Sequence, residues 1–288
     1  MGGSAHVHRP VKVIVVTRFN VAFTESHFTT DKNGAPTRTD AWLKRRFELF
    51  DQVCLPSLKA QSDQDLEWMV FFSDRTPPVY MERIQRIQDG FPGFRPVFLA
   101  DGEYMVGRFK KEVAARLDAS DTHVITMRID NDDAFHRDAV RHTRSLFTGQ
   151  EDEIINYPVG LQCDLEGGVV SVAHLPSNPF LARIEKVVDG KVRTVLDIMH
   201  SEAGGLAQLR DVITEPMWVQ VIHDSNVMNR LDSPDYLFKV DLKADFGVLQ
   251  PFAVDRGRTV ALILRHGLLT VPRRSAASLL RRVRRTVD

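Results

Sequence analysis

Residues 123–133, HVITMRIDNDD, join an apolar run to an acidic cluster of three carboxylates, Asp130, Asp132 and Asp133. Like charges this close repel one another unless a cation or hydrogen-bond donors offset them. If the strand keeps its pleat, Asp130 and Asp132 lie on one face, roughly 6.5 Å apart. That spacing suits two oxygen ligands of one hard divalent cation, which in turn holds a phosphate. The sequence therefore predicts a metal–diphosphate site at the end of this strand.

Strands and helices alternate through the first half of the chain. Residues 11–17 and 66–72 are almost continuously apolar, which is typical of strands buried on both faces of a parallel sheet. Apolar residues at helical spacing predict a helix over 42–58, which Pro56 should kink or end early. Further helices near 79–88 and 108–117 and a short strand at 95–99 complete a βαβ pattern. This order predicts an α/β fold with ligands beyond the carboxyl ends of the strands.

Shorter elements follow the acidic cluster. The pattern predicts a helix over 134–147, with Asp132 or Asp133 available as its N-cap, strands at 153–157 and 169–173, and a helix near 205–213. We therefore expect one domain over residues 11–260, a mostly parallel nucleotide-binding sheet flanked by helices, with a smaller antiparallel extension that shapes a substrate cleft. The expected boundaries are 11–133 for the nucleotide-binding half, 134–260 for the half with the cleft, and 261–288 for a basic amphipathic tail.

Charge is balanced over the whole chain but not along it. Lys plus Arg and Asp plus Glu both total 38 in 288 residues, so no overall field attracts nucleic acid. The last 24 residues, however, hold seven arginines against the single acid Asp288: Arg265, Arg273, Arg274, Arg281, Arg282, Arg284 and Arg285. Such a tail suits an anionic membrane surface, or a helix packed on its own domain.

Two cysteines, Cys54 and Cys163, stand outside any metal-ligand or CxxC pattern and read as buried thiols of a reducing compartment. The N-terminus lacks the apolar stretch of a secretory signal, and no apolar run approaches the length of a membrane span. We therefore expect a cytoplasmic protein, with peripheral contact at the inner membrane face through its basic tail.

Several carboxylate-rich sites do not match the cluster. An EF-hand loop starting at Asp130 needs Gly at its sixth position and Glu at its twelfth, where the chain has Phe135 and Arg141. Dinucleotide and P-loop sites need glycines after the first strand, where residues 18–21 are RFNV. A purely structural alternative remains, in which Asp132 and Asp133 cap a helix and Asp130 is solvated. Capping, however, needs one carboxylate and not three.

Several segments together resemble the putative rhamnosyltransferase family of bacteria, which are GT-A type glycosyltransferases with a DxD-like motif. The resemblance covers roughly residues 11–230. The segments that carry it are 17–20 (TRFN), 54–58 (CLPSL) with Gln61, the strand with Trp68, 126–134 (TMRIDNDDA), 178–180 (NPF) and 218–223 (WVQVIH). The resemblance implies a hexosyltransferase that takes a sugar, with rhamnose as the candidate that the family's name gives, from a nucleoside-diphosphate donor and transfers it to a glycan or lipid-linked acceptor. It also implies that residues 11–133 form the nucleotide-sugar-binding half and residues 134–260 the acceptor-side half.

The resemblance also implies roles for individual residues on the donor side. Asp130 faces the ribose, Asp132 or Asp133 ligates Mn²⁺ or Mg²⁺, and Arg128 supports the diphosphate charge. His223 is expected to approach the same cation, since imidazole is an acceptable Mn²⁺ ligand. Three further residues follow strands and are expected on the nucleotide side, Arg18, Asn20 and Asp74. Asn20 and Asp74 could equally be turn residues.

An inverting transfer needs a carboxylate base for the acceptor hydroxyl. Glu202 is our first candidate and Asp224 the second. Aromatic faces stack on sugar rings, so we expect four residues to line the acceptor cleft: Tyr157, Asn178, Phe180 and Trp218. Two other functions stay open, namely a non-catalytic nucleotide- or glycan-binding protein of the same fold and a nucleotidyltransferase. The latter would normally show a Gly-rich loop near the first strand.

Overall fold

A computed structural model describes residues 11–24, 30, 34, 36–198, 206, 208–223, 231 and 234–266. The predicted α/β fold class is confirmed, since the chain forms a seven-stranded sheet and a four-stranded sheet with helices against them. Four parallel strands form one side of the large sheet: β1 (Lys12–Arg18), β2 (Glu67–Ser73), β3 (Phe94–Leu99) and β4 (His123–Arg128). β1 lies between β2 and β4, so the chain reverses its direction of travel across the sheet at this point.

The other side of the large sheet comes from later in the chain. Its strands are β6 (Asp152–Asn156), β9 (Ala182–Lys186) and β10 (Leu209–Asp211), and the complete order is β10-β6-β9-β4-β1-β2-β3. β9 runs antiparallel to both of its neighbours. Three strands from beyond residue 133 therefore complete the sheet that begins the chain. The functional division into halves at that residue stays a prediction.

The small sheet has the order β5-β11-β7-β8. Its strands are β5 (Ala134–Phe135), β7 (Val159–Asp164), β8 (Val169–His174) and β11 (Trp218–Ile222). Gly160 of β7 lies directly against the Trp218 indole, and a Cβ there would fall 2.1 Å from Trp218 Cδ2. Only glycine allows this contact, so Gly160 seats the tryptophan in the core.

The helix predicted over 42–58 forms and continues through Pro56. It consists of α1 (Asp40–Leu49), a π-helical turn (Phe50–Cys54) and α2 (Leu55–Lys59). Pro56 sits in the first turn of α2, where its missing N–H is tolerated. The Gln52 carbonyl, four residues earlier, instead accepts hydrogen bonds from the backbone N–H groups of Leu249 at 2.8 Å and Gln250 at 3.3 Å.

Further helices are α3 (Pro78–Gly90), α4 (Met105–Ala114), α5 (Ala139–Ser145), a 3-10 turn (Val195–Asp197), α6 (Leu242–Phe246) and α7 (256–266). The helix predicted over 134–147 is wrong at its start, because Ala134 and Phe135 pair with β11. The helix begins only after Asp138, so neither Asp132 nor Asp133 caps it.

Two other predictions concern the end of the chain. The helix predicted near 205–213 is wrong at Leu209–Asp211, which pair in parallel with β6 at the edge of the large sheet. Of the predicted tail, residues 261–266 belong to α7, and 267–288 lie outside the described residues. Within the described ranges, no helix is both long and apolar enough to cross a bilayer.

An aromatic cluster fixes the carboxyl end of β1. The Phe19 ring lies 4.4 Å from the Phe47 ring and 4.8 Å from the Phe72 ring, centroid to centroid. Burying Phe19 between α1 and β2 leaves its neighbours Arg18 and Asn20 at the edge of the sheet. The packing of this one ring therefore places Arg18 beside the end of β4 and Asn20 beside the end of β2.

Candidate active site

Two arginines converge on Asp130 where β1 and β4 end side by side. Arg128 Nη2 lies 3.3 Å from each carboxylate oxygen of Asp130, and Arg18 Nη2 lies 3.7 Å from Oδ1. The side chains of Arg18 and Asp130 are 37% and 33% exposed, whereas that of Arg128 is 12% exposed. In the described part of the chain, the buried Nε of Arg128 has no hydrogen-bond partner. The ends of neighbouring strands thus form a cationic, partly open position.

Electrostatics ties these three groups together. Repulsion from Arg128 and burial lower the pKa of Arg18 to about 10, although Asp130 opposes the shift. Burial alone would raise the pKa of Asp130, but the charges of Arg128 and Arg18 hold it below its usual value. Asp130 is therefore ionised at neutral pH, and two cations share one carboxylate. The excess positive charge at this position is suited to an anionic ligand.

Asp132 lies deeper and makes a different set of contacts. Its Oδ2 forms an ion pair with Arg46 Nη1 of α1 and lies 2.8 Å from His223 Nε2, just after β11. The side chains of Arg46, Asp132 and His223 are at most 10% exposed. Burial disfavours the charged carboxylate, but Arg46 and then His223 keep the pKa of Asp132 well below its usual value. Asp132 is thus a buried carboxylate held in its charged form.

Asn131 and Asp133 anchor the turn between β4 and β5. The side-chain oxygen Oδ1 of Asn131 accepts a hydrogen bond from Arg46 Nη1 at 3.1 Å, and the side-chain amide of Asn131 donates to the Phe19 carbonyl at 3.3 Å. Asp133 Oδ1 accepts a hydrogen bond from the backbone N–H of Val221 at 2.9 Å, which extends the short pairing of β5 with β11. Burial, followed by the charges of Asp132 and Asp130, raises the pKa of Asp133.

The side chains near Asp132 can be compared with the set of ligands that a divalent cation requires. Among the described residues, no group of three or more His, Cys, Asp or Glu side chains is arranged to hold a metal ion on its own. Mg²⁺ is usually bound through one or two carboxylates together with substrate phosphates, and Mn²⁺ also accepts imidazole. Asp132 and His223 therefore fit a cation site that a diphosphate would complete, and the geometry favours Asp132 over Asp133 for it.

Asn20 and Asp74 reach the same edge of the sheet with different surroundings. The Asn20 side chain accepts a hydrogen bond from the Ser73 N–H at 3.0 Å and donates to Thr76 Oγ1 at 3.1 Å, which joins the ends of β1 and β2. Asp74 is exposed directly after β2. Asn20 thus has the turn-forming contacts that its residue type suggested, while Asp74 remains available to a ligand at this edge.

The four residues expected to line the acceptor cleft are instead part of the core, and this prediction is wrong. Phe180 and Trp218 stack at 4.5 Å, and the Trp218 indole N–H donates to the Tyr157 carbonyl at 2.8 Å. The Asn178 amide donates to the same carbonyl at 3.0 Å. All four are at most 3% exposed, and burial raises the pKa of Tyr157 to about 12. Their hydrogen bonds hold the two sheets together and leave no face open to a sugar.

The two candidate bases, Glu202 and Asp224, lie outside the described residues. The residue that sequence reasoning missed is Arg46. Its signal was weak but present, because Arg46 falls among the apolar positions of α1, beside Phe47 and three residues after Leu43. A lone arginine on the buried face of a helix needs a buried acid as partner.

Comparison with known proteins gives a family and several distant structures. No curated protein matches the chain in sequence. The solved structure of S. aureus TarS 1–349 with UDP-GlcNAc has a TM-score of 0.44 at 9% identity, covering 78% of this chain and 62% of TarS. A structure of TarS 1–349 without that ligand gives 0.41 at 8% identity, and the chain spans 60% of its length. A putative glucose-1-phosphate thymidylyltransferase from Bacillus anthracis gives 0.33 at 14% identity, with coverages of 72% and 88%.

The family comparison covers more than half of the chain. The family model described as "Putative rhamnosyl transferase" matches residues 12–233 of the 288. The match includes both ends of the candidate site, from Arg18 at the end of β1 to His223 after β11. The chain therefore belongs to this family of glycosyltransferases.

Proposed function

We propose that the protein transfers a sugar, with rhamnose as the first candidate, from a nucleoside-diphosphate donor to a glycan or lipid-linked acceptor in a reaction that depends on Mn²⁺ or Mg²⁺. The observation that carries this proposal is the convergence of Arg18 and Arg128 on Asp130, beside the buried pair of Asp132 and His223. Charge grows on the diphosphate as the glycosidic bond breaks, and fixed cations at that position lower the barrier.

Each residue of the partly open group has a separate task in this proposal. Arg128 and Arg18 donate hydrogen bonds to the diphosphate, since guanidinium groups bind phosphate oxygens strongly. Asp130 then accepts from the ribose hydroxyls, for which its partly exposed carboxylate is suited. Asp74 is exposed after β2 at the same edge and would contact the base or the ribose. The donor would thus lie across the ends of three neighbouring strands.

Asp132 and His223 would hold the divalent cation. When bound, the cation acts as a Lewis acid toward the leaving diphosphate. The protein's own contribution is to keep Asp132 ionised and oriented, through the contacts that Asp132 makes with Arg46 and His223. Glu202 and Asp224 remain the candidates for the acceptor base.

A donor screen tests the proposal. Nucleotide sugars, including dTDP-rhamnose and UDP-GlcNAc, are added with and without Mn²⁺, and apparent stability is followed by thermal shift, because a ligand that binds only the folded state must raise it. Release of nucleoside diphosphate is then measured for the donors that bind. The Asp132→Asn variant should bind the nucleotide more weakly and release less product. If no donor is hydrolysed with Mn²⁺ and Asp132→Asn keeps full nucleotide affinity, the protein is a binding protein and not an enzyme.

Contact with an anionic membrane is the last part of the proposal. On α7 three aliphatic side chains at helical spacing are exposed, Val260 by 44%, Ile263 by 38% and Leu264 by 60%. The chain then continues into the basic sequence of the tail. Vesicles of phosphatidylglycerol should therefore sediment the protein and vesicles of phosphatidylcholine should not, and Ile263→Ser with Leu264→Ser should weaken the sedimentation. Equal sedimentation of this double variant would exclude α7 from the contact.

A further inference from the structure

Arg46 occupies the carboxylate that the proposed cation would need. Its Nη1 forms an ion pair with Asp132 Oδ2, and the same oxygen faces His223 Nε2 at 2.8 Å. The guanidinium carbon also lies 5.1 Å from the centre of the Trp42 ring, one helical turn earlier on α1. In the described residues, Arg46 Nε has no hydrogen-bond partner. Arg46 is thus a buried cation aimed at a single carboxylate oxygen.

The formal charges of the candidate site offer a divalent cation no net attraction. Three arginines, 18, 46 and 128, pair with two carboxylates, those of Asp130 and Asp132. Because the cations outnumber the acids that they pair with, a bare dication meets no surplus of negative charge, and at Asp132 it must compete with a guanidinium that is always charged. A diphosphate changes this balance, since it brings negative charge of its own and can pair with the arginines.

We propose that Arg46 is a positioning residue that holds Asp132 in the absence of donor and makes metal binding depend on the nucleoside diphosphate. This inference rests on the proposed function, because it assumes that the cation and the diphosphate share the site. It implies that the divalent cation and the nucleoside diphosphate bind strongly only together. By thermodynamic linkage, each must raise the affinity of the protein for the other by the same factor.

Mn²⁺ affinity of the full-length protein tests this inference without measuring catalysis. Free Mn²⁺ is followed by electron paramagnetic resonance in titrations without nucleotide and with UDP, GDP or dTDP. For the wild type we expect a nucleotide to tighten Mn²⁺ binding about tenfold or more. For Arg46→Met we expect Mn²⁺ alone to bind about tenfold more tightly than to the wild type, so that the nucleotide tightens Mn²⁺ binding by a smaller factor.

Two variants on α1 serve as controls. Arg45→Met removes the neighbouring arginine, which pairs with Glu166 and Glu48 and not with Asp132, and it should leave Mn²⁺ affinity unchanged. Arg46→Lys keeps a cation beside Asp132 and should keep the dependence on nucleotide. If Arg46→Met does not fold, Arg46→Gln replaces it with the same expected result, and Mn²⁺ bound equally tightly with and without nucleotide by the wild type overturns the inference in either case.

The outcomes separate this inference from the proposed function. A folded Arg46→Met variant whose Mn²⁺ affinity is unchanged or weaker, together with nucleotide-dependent binding by the wild type, overturns the role of Arg46 and leaves the proposed function intact. A wild type that binds neither Mn²⁺ nor any of the three nucleotides overturns both.

Discussion

Polar side chains at the edge of the large sheet are partly exposed and loosely paired, whereas those in the core under the small sheet are buried and hydrogen-bonded. At the edge, Arg18 and Asp130 keep 37% and 33% of their side chains exposed and pair only at 3.7 Å. Under the small sheet, Trp218 and Asn178 are fully buried, and their N–H groups are bonded to backbone carbonyls. Groups with spare hydrogen-bonding capacity can bind a ligand, whereas groups already bonded in the core can only support the fold. Substitutions in the two regions should therefore change different quantities.

Asp132→Asn is expected to have the largest effect, because Asp132 is part of the candidate site and is also buried, so that both turnover and stability should fall. Loss of its charge should lower donor turnover roughly hundredfold, as for other groups that stabilise charge in a transition state. It also leaves Arg46 without its ionic partner, which should lower the free energy of unfolding by about 3 kcal/mol. Urea unfolding and nucleoside-diphosphate release measure the two losses separately.

Asp133→Asn is the matched control for this prediction. Its amide oxygen can still accept the hydrogen bond of the Val221 N–H, and among the described residues no ion pair joins Asp133 to a cation as one joins Asp132 to Arg46. We expect turnover within roughly tenfold of the wild type. Equal losses from the two variants would show that both carboxylates serve the reaction and would contradict the assignment to Asp132.

Trp218→Ala should reduce stability without changing the affinity of the folded protein for its ligands. The indole is fully buried, stacks on Phe180 and covers Gly160. Its removal leaves a large cavity, so we expect the free energy of unfolding to fall by about 3–5 kcal/mol. Urea unfolding measures the loss, and Trp218→Phe should recover part of it. If stability were kept while the KM for the acceptor rose, Trp218 would belong to the acceptor site after all.

Arg128→Gln, at the edge of the large sheet, should lower the affinity for the donor and leave stability almost unchanged. A charge-assisted hydrogen bond to the diphosphate is worth about 1.5–3 kcal/mol, so donor affinity should fall roughly tenfold to hundredfold. Stability should change little, because the pair with Asp130 is partly exposed. Calorimetric titration with the best donor of the screen provides the measurement. Arg45→Gln, on α1, is the control, and an equal loss of affinity in that variant would mean that only overall charge matters.

Positions at the ends of strands could be predicted from the sequence, and the reason is geometric. Residues 18 and 128 are far apart in the chain, but parallel strands place their carboxyl ends on one edge, so any polar residue that follows a buried strand is brought to the same place. Arg18, Arg128 and Asp130 meet there, and their roles toward a donor stay predictions. His223 also reaches Asp132, because β11 lies beside β5 and ends at the same cluster.

The roles of Arg46 and of the aromatic residues could not be predicted in the same way. The partner of Arg46 depends on how α1 is rotated against the sheet, and the packing of Phe19 and Phe47 decides this rotation. Whether an aromatic ring is a binding surface or part of the core depends on what covers it. Trp218 is covered by Phe180 and by the close approach of Gly160, and neither contact can be predicted from the residue type alone.

The smallest expected effect is a pH dependence of stability from His142, which would sharpen the structural role of Tyr157. His142 Nδ1 lies 2.8 Å from the Tyr157 hydroxyl, and burial, followed by Arg141, lowers the pKa of His142 from its usual 6.5. The unfolded chain therefore takes up the proton first as the pH falls. Stability from this group is present above about pH 6.5 and is lost as the pH falls toward the lower pKa of the folded state. Thermal unfolding between about pH 7.5 and pH 5 should thus show a decline that is shallower in His142→Gln. A decline of equal slope in that variant would assign the effect to another group, such as His123, whose pKa burial also lowers.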